Sequence, residues 1–345
     1  MVTIKEIARE ANVSPTTVSL ILNRKSKERK ISPKTEKRVL EIARRMGYLP
    51  NLQAVGLKKA GSQFAHRILI FWVSDSRTQT MIHFFRGIED NIATNHLPFE
   101  VLLQSYRAGQ LSHAMRNELL LSCHGIIVCN ASESDMEFLD SNSFPRPVIL
   151  YNRYSDKYSS VVMDDRTIGS IPARIFASHG RKHPAVVSSP PTFNGMHIRQ
   201  NLFAYTCQSL GMEETLICRT DYSPKSSYEA TARLLREHPE TDCIFYLREE
   251  LALGALRAFI EKGVRFPDDM ELIAIGDYNQ EISEVSFPSL SIMRLQLELA
   301  ASEIINLLND QLYTPGCSVT SKVLPVTFIP RESCPAYIPP ADCTD

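Results

Sequence analysis

Residues 11–23, ANVSPTTVSLILN, carry no charge, yet they lie in the most basic part of the chain. A neutral helix of small polar residues has the chemistry to approach base edges closely. The cations around it, Arg9, Arg24, Lys25, Lys34, Lys37 and Arg38, suit phosphates. Residues 1–60 hold 14 Lys+Arg and 5 Asp+Glu, a charge of +9, whereas the rest of the chain holds 24 and 34, a charge of −10. A basic head on an acidic body meets a polyanion with the head alone. Other candidate chemistry is thinner. There is no G-x-S-x-G, no G-x-G-x-x-G after a strand and no Walker A pattern. His179 and His183 stand four apart, but Gly180 and Pro184 break any helix that would pair them. Asp164 and Asp165 read as structural rather than as an acid/base pair. The eight cysteines are scattered without a C-x-x-C pair, as free thiols in a reducing compartment would be. No catalytic residue, cofactor or metal is expected, and the chain does not read as an enzyme.

The elements that must hold the neutral run are three helices. Thr3 caps the first, with Glu6 three residues on completing a capping box. Ile4, Ile7, Ala8 and Ala11 share its apolar face, and Asn12 tolerates the left-handed conformation of a tight turn. Ser14 caps the second helix with Pro15 at its first position, where a missing N–H costs nothing. Val18, Ile21 and Leu22 face inward. Ser32 and Pro33 repeat that start, and Val39, Leu40, Ile42, Ala43 and Met46 point inward along a third helix ending at Gly47. Two helices joined by a tight turn, with a third behind them, make a helix-turn-helix, whose second helix enters the DNA major groove.

After a linker the pattern alternates short apolar runs with helical stretches. The runs are 67–73, 99–104, 125–129, 147–151, 160–164, 184–188, 242–246 and 271–276. The helices are 79–95, 165–178, 196–210, 226–238, 249–262 and 296–309. Such alternation predicts an α/β body of parallel sheets covered by helices, about 265 residues long and so two lobes, with no sequence repeat. No apolar run is long enough to span a membrane, and the N-terminus lacks a secretory h-region, so a cytoplasmic location is expected.

The segments VTIKEIAREANVSPTTVSLILN and ISPKTEKRVLEIARRMGYLPN closely resemble the head of the LacI/GalR (lactose-repressor) family of bacterial transcription regulators. A fainter resemblance covers 67–332, carried by FRGIED, SSYEATARLL, LALGALRAFIEKGVRFPDDMELIAIGD and VTFIPRES. It implies a DNA-binding head (1–49), a hinge helix and linker (50–66), a doubly wound, periplasmic-binding-protein-like body of two lobes (67–333) and a tail (334–345). By the same resemblance, Pro15, Thr16 and Leu20 fall on positions that specify base sequence. Thr3, Ser14, Thr17, Ser19, Asn23, Ser32 and Thr35 fall on phosphate-contacting positions. In the hinge, Asn51, Ala54 and Leu57 match residues of the minor groove, Leu57 as a wedge that opens a base step. Leu20 departs from the Arg or His often found there; it cannot bond guanine but can meet a thymine methyl. The turn RKSKERK is about three residues longer than usual.

In the body, Asp75, Asn152, Arg199, Tyr222, Arg248, Glu249 and Tyr278 fall on effector-pocket positions. Arg248–Glu249 replace the usual Asn-Asp and Tyr278 the usual Asp, and two arginines with fewer acceptors point to an acidic or atypical ligand. The implied partners are a palindromic operator in double-stranded DNA, a small molecule such as a carbohydrate or derivative, and a second copy in a homodimer. The implied function is a repressor whose operator affinity the small molecule modulates. The alternatives are a small-molecule binding protein or enzyme with a vestigial head, and a regulator that ignores small molecules.

Overall fold

The structure is a computed structural model. It describes residues 3–22, 26, 29, 31–46, 66–74, 78–190, 194–276, 280–314 and 316–336. The linker 50–62, most of RKSKERK and the tail beyond 336 lie outside the described residues.

The head forms three helices: α1 (Ile4–Glu10), α2 (Pro15–Leu22) and α3 (Pro33–Arg45). The Thr3 hydroxyl accepts the Glu6 N–H, and the Glu6 carboxylate accepts the Thr3 N–H, so the capping box closes. Asn12 takes φ +50° and turns the chain into α2. The two Ser-Pro starts are alike: Thr17 N–H donates to the Ser14 hydroxyl at 3.0 Å, and Thr35 N–H to the Ser32 hydroxyl at 3.1 Å. Ile7, Ala8, Ala11, Val18, Ile21, Val39 and Ala43 are buried together. At about 1.5–3 kcal/mol for each large aliphatic side chain, this small core is what holds α1 and α2 at their angle. Leu40 corrects the sequence expectation: it is 42 % exposed, because the 3.6-residue period carries it off the face shared by Val39 and Ala43.

The body holds two six-stranded sheets. The first runs β2 (Phe99–Tyr106), β1 (His66–Val73), β3 (Gly125–Cys129), β4 (Val148–Tyr151), β5 (Ser159–Met163) and β11 (Ser321–Leu324). The second runs β7 (Leu216–Arg219), β6 (Pro184–Ser188), β8 (Cys243–Tyr246), β9 (Glu271–Gly276), β10 (Ser291–Arg294) and β12 (Thr327–Ile329). All neighbours are parallel except β10 and β12. Strands β3, β4, β5, β6, β8 and β9 are buried along their whole length, which is why they read as unbroken apolar runs. The order is the same in both sheets, a structural repeat that the sequence does not display.

The chain passes between lobes three times: after β5, after β10 and between β11 and β12. The crossings are tied together, since Asp164 N–H donates to Leu324 O at 3.1 Å and Gln296 Nε2 to Pro325 O at 3.1 Å. The helix Leu297–Tyr313 lies against the helix Thr78–Thr94, where Gly87 permits the approach: a Cβ there would meet the Glu298 backbone at 2.6 Å.

Candidate nucleic-acid interface and ligand cleft

At the start of α2, Pro15 and Thr16 are exposed and Leu20 is half-buried. The Ser14 and Thr17 hydroxyls lie 2.8 Å apart, as do those of Ser32 and Thr35. Each pair shares one proton between two oxygens, so each keeps one O–H and further lone pairs for something outside the protein. Both pairs sit at helix N-termini, where backbone N–H groups and the helix dipole favour an anion. Thr3 differs, because its hydroxyl already donates to Glu6 Oε2 at 2.9 Å. The Thr3 N–H first, and then this hydroxyl, hold the Glu6 carboxyl below its usual pKa. Ser19 is half-buried on α2. Arg9, Lys34, Lys37 and Arg38 are exposed. Asn23, Arg24, Lys25, Asn51, Ala54 and Leu57 lie outside the described residues.

In the body, the predicted cleft residues gather at the carboxyl ends of both sheets, the place where open α/β sheets bind ligands. Asn130 and Asn152 follow the neighbouring strands β3 and β4 and both adopt left-handed backbone, at φ +57° and +61°. Asn tolerates this conformation better than most residues. Asn152 Nδ2 donates to Asn130 Oδ1 at 3.1 Å. Arg153 is buried beneath them, its guanidinium donating to the Ala131 and Asn152 carbonyls. Asp164 caps the helix Asp165–Ser178. Burial pushes its carboxyl up, but the hydroxyl and N–H of Thr167 and the N–H of Arg166 pull it below the usual value.

Arg199 is 6 % exposed, and its Nε donates to Asp165 Oδ1 at 2.7 Å. Gly169 makes this pair possible: a Cβ there would lie 2.7 Å from Arg199 O and 2.9 Å from Leu202 Cβ, so only glycine lets the two helices meet. Tyr222 donates its hydroxyl to Pro190 O at 2.5 Å, and the Arg248 guanidinium lies 5.3 Å from its ring centroid, a cation–π distance. Arg248 Nη2 faces Glu250 Oε1 at 3.4 Å. Glu249, fully buried at the N-terminus of the helix Glu249–Lys262, accepts the Ser283 hydroxyl. Gly276 leaves room for that carboxylate, since a Cβ there would meet Glu249 Oε2 at 2.9 Å.

The structure therefore brings Asn152, Arg199, Tyr222, Arg248 and Glu249 to the strand ends, while Asp75 and Tyr278 lie outside the described residues. It corrects the charge argument: Arg199 and Arg248 each face a carboxylate, so the two guanidiniums do not make the cleft cationic. Sequence reasoning missed Asn130, Arg153 and the pairing of Asp165 with Arg199. An Asn directly after an apolar strand run, twice over, was the available signal for the left-handed pair. Three polar atoms here have no partner among the described residues although buried: Asn130 Nδ2, Ser189 Oγ and Glu250 Oε2. They lie just past the ends of β3, β6 and β8. His179 and His183 do not pair with each other; they face Glu271 and Glu213.

Comparison with known proteins agrees with both parts. Residues 3–51 match the family described as bacterial regulatory proteins, lacI family, and residues 173–334 match a periplasmic binding protein-like domain. Catabolite control protein A of Priestia megaterium is 29 % identical over 84 % of this chain and 86 % of its own length. A probable HTH-type transcriptional repressor, ExuR, of Bacillus subtilis is 26 % identical over 90 % of this chain and 92 % of its own. The solved structure of a LacI family transcription regulator from Clostridium acetobutylicum superposes with a TM-score of 0.73 at 26 % identity, over 77 % of this chain and 99 % of that one. No helix among the described residues is long and apolar enough to cross a membrane. With a helix-turn-helix head of this kind and a two-lobed binding body behind it, the chain belongs to the LacI family of bacterial transcriptional regulators, DNA-binding proteins whose activity a small effector modulates.

Proposed function

We propose that the protein is a homodimeric repressor in which the exposed start of α2 reads the operator and the cleft binds a neutral polyhydroxyl effector such as a carbohydrate. Pro15, Thr16 and Leu20 are the base-reading residues. The hydroxyl pairs Ser14–Thr17 and Ser32–Thr35, with Ser19, Thr3 and Asn23, hold phosphates. Asn51, Ala54 and Leu57 occupy the minor groove in the operator complex. In a dimer of twofold symmetry, two such heads match a palindrome. Asn152, Arg199, Tyr222, Arg248 and Glu249, with Asp75 and Tyr278, contact the effector, and no catalytic step is assigned to them.

The observation that carries the effector reading is the trio of buried polar atoms past β3, β6 and β8 that have no partner among the described residues. Leaving such a group unpaired costs about 1–3 kcal/mol, a cost that a ligand hydroxyl placed between the lobes removes. Closure of the lobes then alters the affinity for DNA, and by linkage DNA alters effector affinity by the same factor. A vestigial head is disfavoured, because its three N-terminal caps and its described core are intact.

The test is selection of genomic fragments by the purified chain at about 150 mM salt, where non-specific phosphate binding is weak. The expected result is an enriched palindrome, lost on Thr16→Ala or Leu57→Ala and shifted by one sugar in a panel. Absence of any enriched sequence, together with absence of salt-sensitive binding at low salt, would sink the proposal.

A further inference from the structure

At the opposite end of the second sheet from the cleft, three ligand-type side chains converge on one point. Glu271 opens β9 and is 2 % exposed, Cys334 follows β12 and is fully buried, and His179 ends the helix Asp165–Ser178. His179 Nδ1 lies 3.0 and 3.1 Å from the two Glu271 oxygens, and Cys334 Sγ lies 3.6 Å from Oε2. All three ligand atoms fall within 4.8 Å of one another. A tetrahedral zinc ion with bonds of about 2.0–2.3 Å places neighbouring ligand atoms roughly 3.3–3.6 Å apart. The thiol–carboxylate edge, at 3.6 Å, already has that spacing; the imidazole–carboxylate edge, at 3.0–3.1 Å, opens to it and the imidazole–thiol edge closes to it with small side-chain rotations.

We propose that His179, Glu271 and Cys334 form a zinc site in the second lobe, separate from both the DNA-reading head and the effector cleft. The set of one imidazole nitrogen, one carboxylate oxygen and one thiolate suits this borderline-soft ion. On binding, the Cys334 S–H bond breaks, an S–Zn bond forms and one proton leaves to solvent. The neutral imidazole moves its proton from Nδ1 to Nε2 by exchange with solvent, which frees the Nδ1 lone pair for the ion, so the thiol proton is the only one released and no electron changes hands. Zinc then takes the place of the hydrogens that His179 and Cys334 point at Glu271. Arg181 Nη2, 3.4 Å from Glu271 Oε1, stays on the other carboxylate oxygen as an outer partner. Water takes the fourth position from the side where His179 reaches the surface, its side chain 18 % exposed. The ion ties together the end of a helix, the start of β9 and the segment after β12, which are remote in sequence.

The competing account is a buried carboxylate satisfied by Arg181, His179 and the thiol with no ion at all, and direct binding separates the two. The full chain is stripped with a chelator and titrated with Zn²⁺ against a chromophoric competitor, then with Co²⁺ as a spectroscopic probe. One zinc per chain is expected, with a thiolate-to-cobalt charge-transfer band and the strong visible absorption of a tetrahedral ion. His179→Gln and Cys334→Ser keep a hydrogen bond to Glu271 and so preserve the fold. Each is expected to weaken zinc by more than the roughly 10–100-fold that loss of an outer partner costs. Cys317→Ser and Cys343→Ser should leave binding unchanged. Failure of the wild-type chain to hold one zinc, or a thiolate band that survives Cys334→Ser, overturns the site whatever the variants do. Because operator selection does not use these residues, loss of the zinc site leaves the repressor reading untouched.

Discussion

In the head, Pro15 and Thr16 stand exposed, and the nearby hydroxyls form pairs with capacity left over. In the cleft, Arg199 and Arg248 are less than a tenth exposed, and each already faces a carboxylate. The two surfaces prepare for different partners. DNA brings its own dense charge, so the head needs only exposed cations and short donors and can stay small. A small molecule brings little, so the cleft must pre-position its polar groups against one another, with glycines opening the space and strand ends fixing the directions. It follows that substitutions in the cleft act on stability and on binding together, whereas those at the start of α2 act on binding alone.

The largest expected effect breaks the cleft. Arg199→Leu leaves the Asp165 carboxylate buried beside an apolar side chain. Removing one partner of a buried ion pair costs about 3–5 kcal/mol, so the midpoint of the body's urea transition should fall sharply. Restoring it by changing Asp165 to Leu as well would show that the pair serves the ligand more than the fold. Gly169→Ala attacks the same pair from behind. Its methyl would press on Arg199 O and Leu202 Cβ, and overpacking of this kind costs about 1–3 kcal/mol. Weakened effector affinity alongside the stability loss, by titration calorimetry, is the result that ties Gly169 to the site; a stability loss with unchanged affinity would confine it to packing.

Legibility followed the same division. Each N-terminal cap of the head was readable, because capping is local: Thr3–Glu6, Ser14–Thr17 and Ser32–Thr35 are three residues apart. Leu40 misled because periodicity alone cannot say how wide the covered face is. In the body the fully buried strands were plain, while β7, β10, β11 and β12 were missed. These are short, and β7, β11 and β12 lie at sheet edges, where burial alternates or fades. The helix Glu133–Ser141 was missed as well, although Ser132 and Asp135 form a capping box. Asn152, Arg199 and Tyr222 were found only through resemblance. Their partners Asn130, Asp165 and Pro190 are 22, 34 and 32 residues away, and no local pattern encodes such a meeting.

Acid should separate the two regions next. All nine histidines lie at or beyond residue 66, so the head has none. Burial, helped by His66, Arg146 and Arg67, pushes His124 from 6.5 down to about 4, and burial lowers His66 as well. His124 Nδ1 accepts the Arg67 N–H at 3.0 Å, which requires the neutral ring. As the folded pKa is depressed, the unfolded chain takes up the proton first. The body's stability is therefore full above pH 6.5 and declines as pH falls towards about 4. After discounting for solvent screening, the loss is about 1–2 kcal/mol. Denaturant midpoints should slope for the wild type and flatten in His124→Asn, while signals from α1–α3 stay level until the pH nears 4.5, where Glu6 begins to take up a proton in the unfolded chain.

The smallest effects belong to the head and test the other half of the comparison. Thr16→Ala removes an exposed hydroxyl, so stability should move by no more than about 0.5 kcal/mol. Discrimination at one operator position should drop by about 1 kcal/mol, at the lower end of what a base contact gives. Lys37→Ala should behave differently again. It removes an exposed cation from α3, so affinity should weaken about equally for operator and unrelated DNA. The slope of log K against log salt should become shallower by about 0.9, the value for one phosphate contact. Fluorescence anisotropy with matched and mismatched duplexes at several salt concentrations measures both. A base-specific loss from Lys37→Ala, or a uniform one from Thr16→Ala, would reverse the roles and undo the claim that the neutral helix reads sequence while the surrounding cations only hold the backbone.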